Sequence, residues 1–349
     1  MDQIGVAVVG AGYWGPNLVR NVAMNPSTQL RWVCDVAMER ASKLAGTYAG
    51  ATATTSLDQV LADDGVAAVL IATPAATHAD LAIKALRAGK HVLIEKPLAA
   101  SVAEAERMLA VARETGRVLM CDHTYCYTPA AQFISRLVHN GDLGDILFVD
   151  SVRINLGLVQ RDVDVIWDLA PHDLSILDFV LPPERKVQTV AAQAADPLGV
   201  GQNCVGYLTL GLAGGAIGHV HVNWLSPTKV RTMIIGGSRR TLVWDDLNPT
   251  QRVCVYDRGV DVDAVTDPET RARNKVAYRI GDMVAPALRD AEALSGVVNE
   301  LVAGVRGERV PQTDGRAGLA VLKILEAASI SLDLSGATVP VDGVMAVAE

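Results

Sequence analysis

Three glycines near the start of the chain have the spacing of a dinucleotide-binding turn. The apolar run Ile4 to Val9 leads into the sequence GAGYWG, and a helix-compatible segment follows. In such a turn Gly10 permits the tight bend, Gly12 lets backbone approach a pyrophosphate, and Gly15 lets the helix pack closely on the strand. The N–H groups at the helix N-terminus would then face the phosphates.

An acidic residue follows at the distance that adenosine recognition needs. Asp35 ends a second apolar run about 20 residues after Gly15, where a carboxylate can accept both ribose hydroxyls. A 2′-phosphate would meet that negative charge, and Val36 rather than an arginine comes next, so the sequence favours NAD over NADP. Asp35 also suits a cap of the next helix. The cofactor contacts predicted here are Gly10, Gly12, Tyr13, Trp14, Gly15 and Asp35.

A lysine with the chemistry of proton transfer follows a later apolar strand. Lys96 lies in the sequence Glu95-Lys96-Pro97. A cation beside the positively charged nicotinamide ring has reason to lose its proton or to polarise an oxygen. The alternative is that Lys96 only pairs with Glu95 or solvent.

A histidine in the stretch 164–181 is a second candidate for proton transfer. Pro171 predicts a helix that begins near residue 171 and ends before residue 182. His172 would then lie in the first turn of this helix, where the helix dipole would keep the ring neutral and able to accept a proton near pH 7. Asp168, four residues earlier, is placed to orient the ring or bind a hydroxyl. The alternative is a buried structural histidine, with Asp173 a simple first-turn acid.

The first 122 residues carry the pattern of an α/β fold. Continuous apolar strands alternate with helical segments, which predicts a doubly wound parallel sheet, a Rossmann domain over residues 1–122. Ligands of such sheets bind outside the carboxyl ends of the strands. Two more stretches fall there, and they add Thr73, Pro74, His78, Glu95 and Lys96 to the predicted cofactor contacts.

Residues 123–349 follow a different pattern. After a helix over 129–140, strands with period-two alternation dominate, which predicts an α+β domain with a large, mostly antiparallel sheet. The charged stretch Thr266 to Arg279 is interpreted as a loop. Helices are predicted over 288–303 and 315–331, and the latter is expected to pack back on the first domain.

The composition excludes several classes of protein. Half of the 349 residues are hydrophobic and the net charge is −8, as in a folded protein with large cores. The lack of a basic cluster argues against nucleic acid and anionic membranes as partners. Met1 leads directly into the first strand, which predicts a cytoplasmic protein. The five cysteines lack CxxC spacing, so reduced thiols and no metal site are expected.

The stretch 72–99, ATPAATHADLAIKALRAGKHVLIEKPLA, resembles the signature of the Gfo/Idh/MocA oxidoreductases, NAD(P)-dependent enzymes that act mostly on sugars and cyclitols. The resemblance implies that Lys96 stands at the nicotinamide and substrate, and that the Lys96-Pro97 bond is cis. It also implies an open sheet in the second domain whose free face mediates homodimer or homotetramer contacts.

The sequence WDLAPHD, residues 167–173, is similar to the sugar-nucleotide branch of that family. There a DxxxH element supplies the histidine that is paired with the lysine, which places Asp168 and His172 in the catalytic set with Lys96. The branch suggests oxidation of a secondary hydroxyl, at C3 of a nucleotide sugar or an amino-sugar precursor, to a ketone. Alternatives are a keto-sugar reductase, an NAD-assisted glycosidase and a non-catalytic NAD-binding regulator.

Three further stretches are candidates for holding the substrate. Lys229 and Arg231 suit a diphosphate or carboxylate. Arg153 and Asn155 lie two residues apart on one strand face, and two tyrosines suit the face of a sugar. The alternative for each is surface charge or domain packing. With the catalytic pair, the predicted substrate contacts are Tyr125, Tyr127, Arg153, Asn155, Asp168, His172, Lys229 and Arg231.

Overall fold

The computed structural model describes residues 3–157, 159–160, 163–261 and 277–342. They divide into two compact units. The first comprises residues 3–128 and Ala291–Glu326, and the second comprises Pro129–Asp290 and residues 327–342. The predicted boundary after residue 122 therefore lies six residues too early, and residues 291–326 return to the first unit.

The first unit is built from alternating strands and helices. Its elements are β1 (Ile4–Val9), α1 (Gly15–Met24), β2 (Thr28–Cys34), α2 (Met38–Ala45), β3 (Thr52–Thr54), α3 (Leu57–Ala62), β4 (Ala68–Ile71), α4 (His78–Arg87), β5 (His91–Glu95), α5 (Val102–Thr115) and β6 (Leu119–Asp122). The six strands form one sheet in the order β3-β2-β1-β4-β5-β6, and every pairing is parallel. This is the Rossmann order, which confirms the predicted fold.

A helix from the C-terminal part of the chain completes the core of this unit. α8 (Ala293–Val305) buries Leu294, Val297 and Leu301 in the cluster that contains Val6 of β1. The helix begins later than the predicted residue 288, and Glu292 is its N-cap residue. These apolar contacts explain why the chain returns to the first unit. α9 (Gly315–Asp333) follows, and its residues up to Glu326 belong to that unit.

The second unit carries a nine-stranded sheet. Its elements are α6 (Pro129–His139), β7 (Ile146–Leu156), α7 (Val165–Val180), β8 (Val187–Ala195), β9 (Val205–Leu212), β10 (Ile217–Asn223), β11 (Leu225–Gly237), β12 (Thr241–Asp245), β13 (Val253–Asp261), β14 (Ala277–Val284) and β15 (Val339–Pro340). The order is β14-β13-β12-β11-β7-β10-β9-β8-β15. Only β7 and β10 pair in parallel among these described strands, so the predicted, mostly antiparallel sheet is confirmed.

The predicted loop over residues 266–279 lies mostly outside the described residues. Its last three residues, 277–279, belong to β14, which pairs antiparallel with β13. In this part the structure corrects the prediction.

The prediction that a helix begins near Pro171 is wrong. α7 begins at Val165, because the Asp164 side chain caps it by accepting a hydrogen bond from the Trp167 N–H at 3.0 Å. Pro171 lies inside the helix, where it cannot donate to the Trp167 carbonyl. His172 is therefore two turns into the helix. The helix dipole acts mainly within the first turn, so the dipole effect predicted for a first-turn histidine does not apply to His172.

α7 covers one face of the large sheet through a buried ion pair. Arg153 of β7 donates to Asp173 of α7, with its Nε 2.8 Å from Oδ2 and an Nη 3.1 Å from Oδ1. Ser151 also donates to Oδ1, at 2.9 Å. Both charged side chains are almost fully buried, 6% and 4% exposed. Asp173 is thus a buried partner of Arg153 and not the first-turn acid that the sequence suggested.

The cysteines agree with the prediction from their spacing. All five cysteines are free thiols, and four of them are buried, as predicted. No helix among the described residues has the length and apolar character that crossing a membrane requires.

The ion pair generates a test of stability. Asp173→Ala leaves the Arg153 charge buried without its carboxylate, so we expect the free energy of unfolding in urea to fall by about 3 kcal/mol. The double variant Asp173→Leu with Arg153→Met removes both charges, and it should recover most of that loss. A loss below about 1 kcal/mol for Asp173→Ala would contradict a stabilising role for the pair.

Candidate functional site

The glycine turn after β1 has the geometry of a close approach between backbone segments. Gly10 has a φ of +102°, and a Cβ added there would lie 2.3 Å from the Ala72 carbonyl oxygen. A Cβ added at Gly15 would lie 2.0 Å from the Gly10 carbonyl oxygen. A Cβ added at Gly12 would meet no atom within 4 Å. The three glycines therefore serve the turn, the packing of α1 and an open approach to the backbone, as predicted.

The carboxylate of Asp35 is held next to this turn. Its Oδ2 accepts a hydrogen bond from the Ala11 N–H at 2.8 Å, and its Oδ1 accepts one from the Ala37 N–H at 2.8 Å. Burial would raise the pKa of Asp35, but the hydrogen bonds from Arg40, Ala37 and Ala11 bring it below its ordinary value. The group is ionised near pH 7, and Oδ2 retains capacity for a further donor.

Arg40 is a partner of this carboxylate that the sequence analysis missed. Its Nε and one Nη lie 3.1 and 2.6 Å from Asp35 Oδ1, while its side chain remains 54% exposed. The signal was present, because Arg40 follows Asp35 by little more than one helical turn. The sequence analysis considered only the adjacent position, Val36, and therefore did not select Arg40.

The turn after β4 is connected to the segment after β5 by a buried histidine. His78 is 1% exposed, with its Nε2 2.8 Å from the Thr73 carbonyl oxygen and its Nδ1 2.9 Å from that of Pro97. Burial lowers the pKa of His78, and these two carbonyl groups act in the opposite direction. His78 thus positions Thr73, whose neighbour is Pro74, rather than presenting a reactive ring.

The segment after β5 carries the predicted lysine. The Lys96-Pro97 peptide bond is cis, which confirms the prediction from resemblance. Glu95 pairs in register with Asp122 of the neighbouring strand β6. Burial, and then the charge of Asp122, raise the pKa of Glu95 well above its ordinary value.

Asp122, the partner of Glu95 on β6, is a carboxyl residue that the sequence analysis did not select. It is 1% exposed; its Oδ1 accepts a hydrogen bond from the Thr124 hydroxyl at 2.7 Å, and the Trp14 Nε1 lies 3.5 Å from Oδ2. Burial raises the pKa of Asp122 to about 6, although both contacts lower it. The only signal in the sequence is its place at the end of β6.

These residues lie along one edge of the parallel sheet. We call it the carboxyl edge, formed by the residues that follow β1, β4, β5 and β6. Between β1 and β4 the strand order reverses, which is where doubly wound sheets bind ligands. An open backbone at Gly12, an ionised Asp35 and exposed side chains at Tyr13 and Val36, 94% and 91% exposed, fit a dinucleotide. Lys96 stands farther along the same edge.

In the second unit the structure brings three of the predicted residues into one region. Asp168 and His172 are one turn apart on α7. The Asp168 Oδ2 accepts a hydrogen bond from the Trp224 Nε1 at 3.1 Å. A Cβ added at Gly157 would lie 2.9 Å from the Asn155 Nδ2 and 3.0 Å from the Trp224 ring. Trp224, which the sequence analysis did not select, therefore links Asp168 to the end of β7 near Asn155.

Other predicted substrate contacts have different partners in the structure. The buried ion pair with Asp173 gives Arg153 a structural role. The Tyr127 hydroxyl lies 2.9 Å from the Thr313 Oγ1, and burial raises its pKa. The Arg231 Nη1 lies 3.6 Å from the Asp246 Oδ2. Tyr125 belongs to the 3-10 helix Thr124–Tyr127, and Lys229 is exposed on β11.

Comparison with known sequences identifies two matching families. The family described as "Oxidoreductase family, NAD-binding Rossmann fold" matches residues 4–123. The family described as "GFO/IDH/MocA C-terminal domain" matches residues 131–243. The two matches together cover more than half of the chain.

Individual relatives agree with these matches. The chain is 35% identical to 4-carboxy-2-hydroxymuconate-6-semialdehyde dehydrogenase of Sphingobium sp. over 40% of this chain and 44% of that protein. It is 29% identical to UDP-N-acetylglucosamine 3-dehydrogenase of Acidithiobacillus ferrooxidans over 92% of this chain and 95% of the relative. For several curated relatives, the match spans only about half of their length.

A solved structure supports the same assignment for the whole fold. GenD2 from gentamicin A biosynthesis, solved in complex with NAD, superposes with a TM-score of 0.80 at 28% identity over 97% of each chain. Both family matches and the Rossmann strand order lead to one conclusion: the chain belongs to the Gfo/Idh/MocA family of oxidoreductases, and its first domain is the NAD-binding Rossmann domain of that family.

Proposed function

We propose that this protein is an NAD-dependent dehydrogenase that oxidises a secondary hydroxyl of a sugar to a ketone. One observation carries the proposal. The dinucleotide-binding turn with Asp35 and the segment that carries Lys96 lie on the same carboxyl edge of one parallel sheet. A proton-transfer group beside a nicotinamide site is what alcohol oxidation needs.

The choice of NAD over NADP rests on Asp35. Its carboxylate is ionised and would repel a 2′-phosphate, while its Oδ2 can accept a hydrogen bond from a ribose hydroxyl. The similar GenD2 was solved with NAD. Tyr13 and Val36 are exposed apolar side chains beside the turn, and a bound adenosine would cover them.

The substrate class follows from the relatives. UDP-N-acetylglucosamine 3-dehydrogenase matches over almost the whole chain, so we infer a nucleotide sugar or an amino-sugar precursor that is oxidised at C3. The same residues serve the reverse reduction, since acid and base exchange roles.

The chain's own residues handle the proton. NAD, when bound, supplies a nicotinamide C4 that accepts the hydride. His172 takes the hydroxyl proton, Lys96 donates a hydrogen bond to the same oxygen, and Asp168 orients His172 from one turn away on α7. Asn155 and Lys229 remain the proposed substrate contacts, together with Tyr125. The structural partners of Arg153, Tyr127 and Arg231 argue against such a role for them.

We also infer self-association through the large sheet. α7 packs on the face that presents Ser151 and Arg153, and the opposite face presents apolar side chains such as Tyr207 and Ile217, which are 43% and 55% exposed. Exposed apolar surface of this kind marks interaction sites. A homodimer or homotetramer would cover it.

The catalytic pair is tested by substitution. Lys96→Met and His172→Phe remove the proposed proton-transfer groups, so we expect kcat/KM for a nucleotide sugar with NAD to fall at least about 100-fold in each. The reduced nicotinamide is followed by its absorbance. The controls are Lys84→Met and His139→Phe, which change exposed residues outside the site. Near-normal rates in both Lys96→Met and His172→Phe would refute the mechanism.

The glycine turn generates a test of cofactor binding. Gly12→Ala adds a methyl group to open space in the folded protein, so we expect an unchanged Tm, but the methyl blocks the pyrophosphate and weakens NAD binding by at least about ten-fold. Gly15→Ala collides with the Gly10 carbonyl, so both Tm and NAD affinity should fall. Calorimetric titration with NAD measures the affinity of each variant. Wild-type NAD affinity in Gly12→Ala would contradict the assigned pyrophosphate path.

Arg40 allows a test of cofactor preference. Asp35→Ser removes the repulsion and releases Arg40, whose guanidinium can bind a 2′-phosphate, so we expect the ratio of NADP to NAD affinity to rise about ten-fold. The double variant Asp35→Ser with Arg40→Met should lack most of this gain. Equal ratios in the single and the double variant would show that Arg40 plays no part.

A further inference from the structure

A buried histidine at the carboxyl edge has no role in the mechanism above. His123 follows β6 directly, and its side chain is 2% exposed. Neither Nδ1 nor Nε2 has a hydrogen-bond partner among the described residues, and both atoms are shielded from solvent. An unpaired buried polar group costs about 1–3 kcal/mol, and ordered water commonly satisfies such groups.

The strand register places His123 beside Lys96. β5 and β6 run parallel, and Glu95 lies opposite Asp122. Lys96 and His123 directly follow this pair on the two neighbouring strands, and they are close enough for the charge of Lys96 to act on the His123 ring. Burial, and then the positive charge of Lys96, lower the pKa of His123 to about 4. The ring is neutral near pH 7, with one donor and one acceptor nitrogen.

The backbone around this ring is fixed on both sides. The His123 N–H donates to the Cys121 carbonyl at 2.9 Å, and the His123 carbonyl accepts from the Cys126 N–H at 2.9 Å. The titratable groups next to His123 in the chain and on the paired strand are Glu95, Lys96, Cys121, Asp122 and Cys126. Lys96 is the cation of this set, and it is therefore the group that a neutral acceptor nitrogen would serve.

We propose that His123 is a positioning residue for Lys96, which it contacts through a buried water molecule. The water accepts a hydrogen bond from the Lys96 ammonium group and donates one to the acceptor nitrogen of the ring. This bridge stabilises the protonated amine and holds it in one orientation, so that it can donate to the substrate oxygen. Only the effect on turnover rests on the proposed function. The contact between the two side chains does not.

The reactivity of the Lys96 amine tests the bridge without any substrate. Only the unprotonated amine reacts with an acylating reagent, so loss of the bridge should accelerate acylation of Lys96 at neutral pH. We expect a rise of about ten-fold in His123→Leu, measured by mass spectrometry of the Lys96 peptide. His123→Asn keeps a polar group that can hold the water, and it should stay within about three-fold of the wild type.

Stability separates this role from simple packing. Leu replaces a buried polar ring by an apolar side chain, so the Tm of His123→Leu should stay equal or rise. His91→Leu is the matched control, because His91 is also buried but accepts a hydrogen bond from the Val118 N–H at 3.0 Å at the other end of β5. That control should lower the Tm and leave acylation of Lys96 unchanged.

The outcomes decide the proposal. Acylation of Lys96 at the wild-type rate in His123→Leu would overturn it, as would a high-resolution crystal structure with no water within hydrogen-bond distance of either ring nitrogen. If His123→Leu fails to fold, the apolar variant His123→Met and the crystal structure carry the test. In an active enzyme, kcat should fall about ten-fold in His123→Leu with the KM for NAD unchanged. If the wild type oxidises no sugar, the proposed function fails, while the acylation result still stands.

Discussion

The parallel pairing of six strands is the constraint on which the rest of this structure depends. Because every strand of the first sheet runs in the same direction, the residues after β1, β4, β5 and β6 meet at one edge. Groups more than 100 residues apart in the chain, such as Trp14 and Asp122, thereby come within 3.5 Å. The dinucleotide turn and the lysine segment share an edge for the same reason, and the proposed dehydrogenase activity depends on that arrangement.

The carboxyl groups at this edge have pKa values that are shifted in opposite directions. Hydrogen bonds from Arg40 and from backbone N–H groups lower the pKa of Asp35, so its charge is available for the proposed recognition of ribose. Burial raises the pKa of Asp122 and of its neighbour Glu95, so two adjacent negative charges are avoided beside the cofactor. Hydrogen-bond donors thus favour the ionised form of Asp35, whereas desolvation favours the neutral forms of Glu95 and Asp122.

Much of the fold followed from local patterns. The glycine spacing predicted the turn at Gly10, and period-two alternation predicted the mostly antiparallel sheet of the second unit. Resemblance predicted the cis bond at Lys96-Pro97. These features depend on a few adjacent residues, whose steric and hydrophobic preferences act whatever the rest of the chain does.

The failures share a different physical origin. The proline rule put the start of α7 at Pro171, but the Asp164 cap began the helix earlier and burial of the helix outweighed the lost hydrogen bond. The pair of Arg153 with Asp173 joins a strand and a helix 20 residues apart, and no local pattern encodes it. The burial of His123 likewise depends on tertiary packing, so its unpaired nitrogens are visible only in three dimensions.

A crystal structure of the protein with NAD tests the central claim most directly. The account predicts that the pyrophosphate contacts the backbone at Gly12, that the adenosine ribose donates to Asp35, and that the nicotinamide lies beside Lys96. A cofactor bound away from this edge, or a nicotinamide at the opposite end of it from Lys96, would contradict the account.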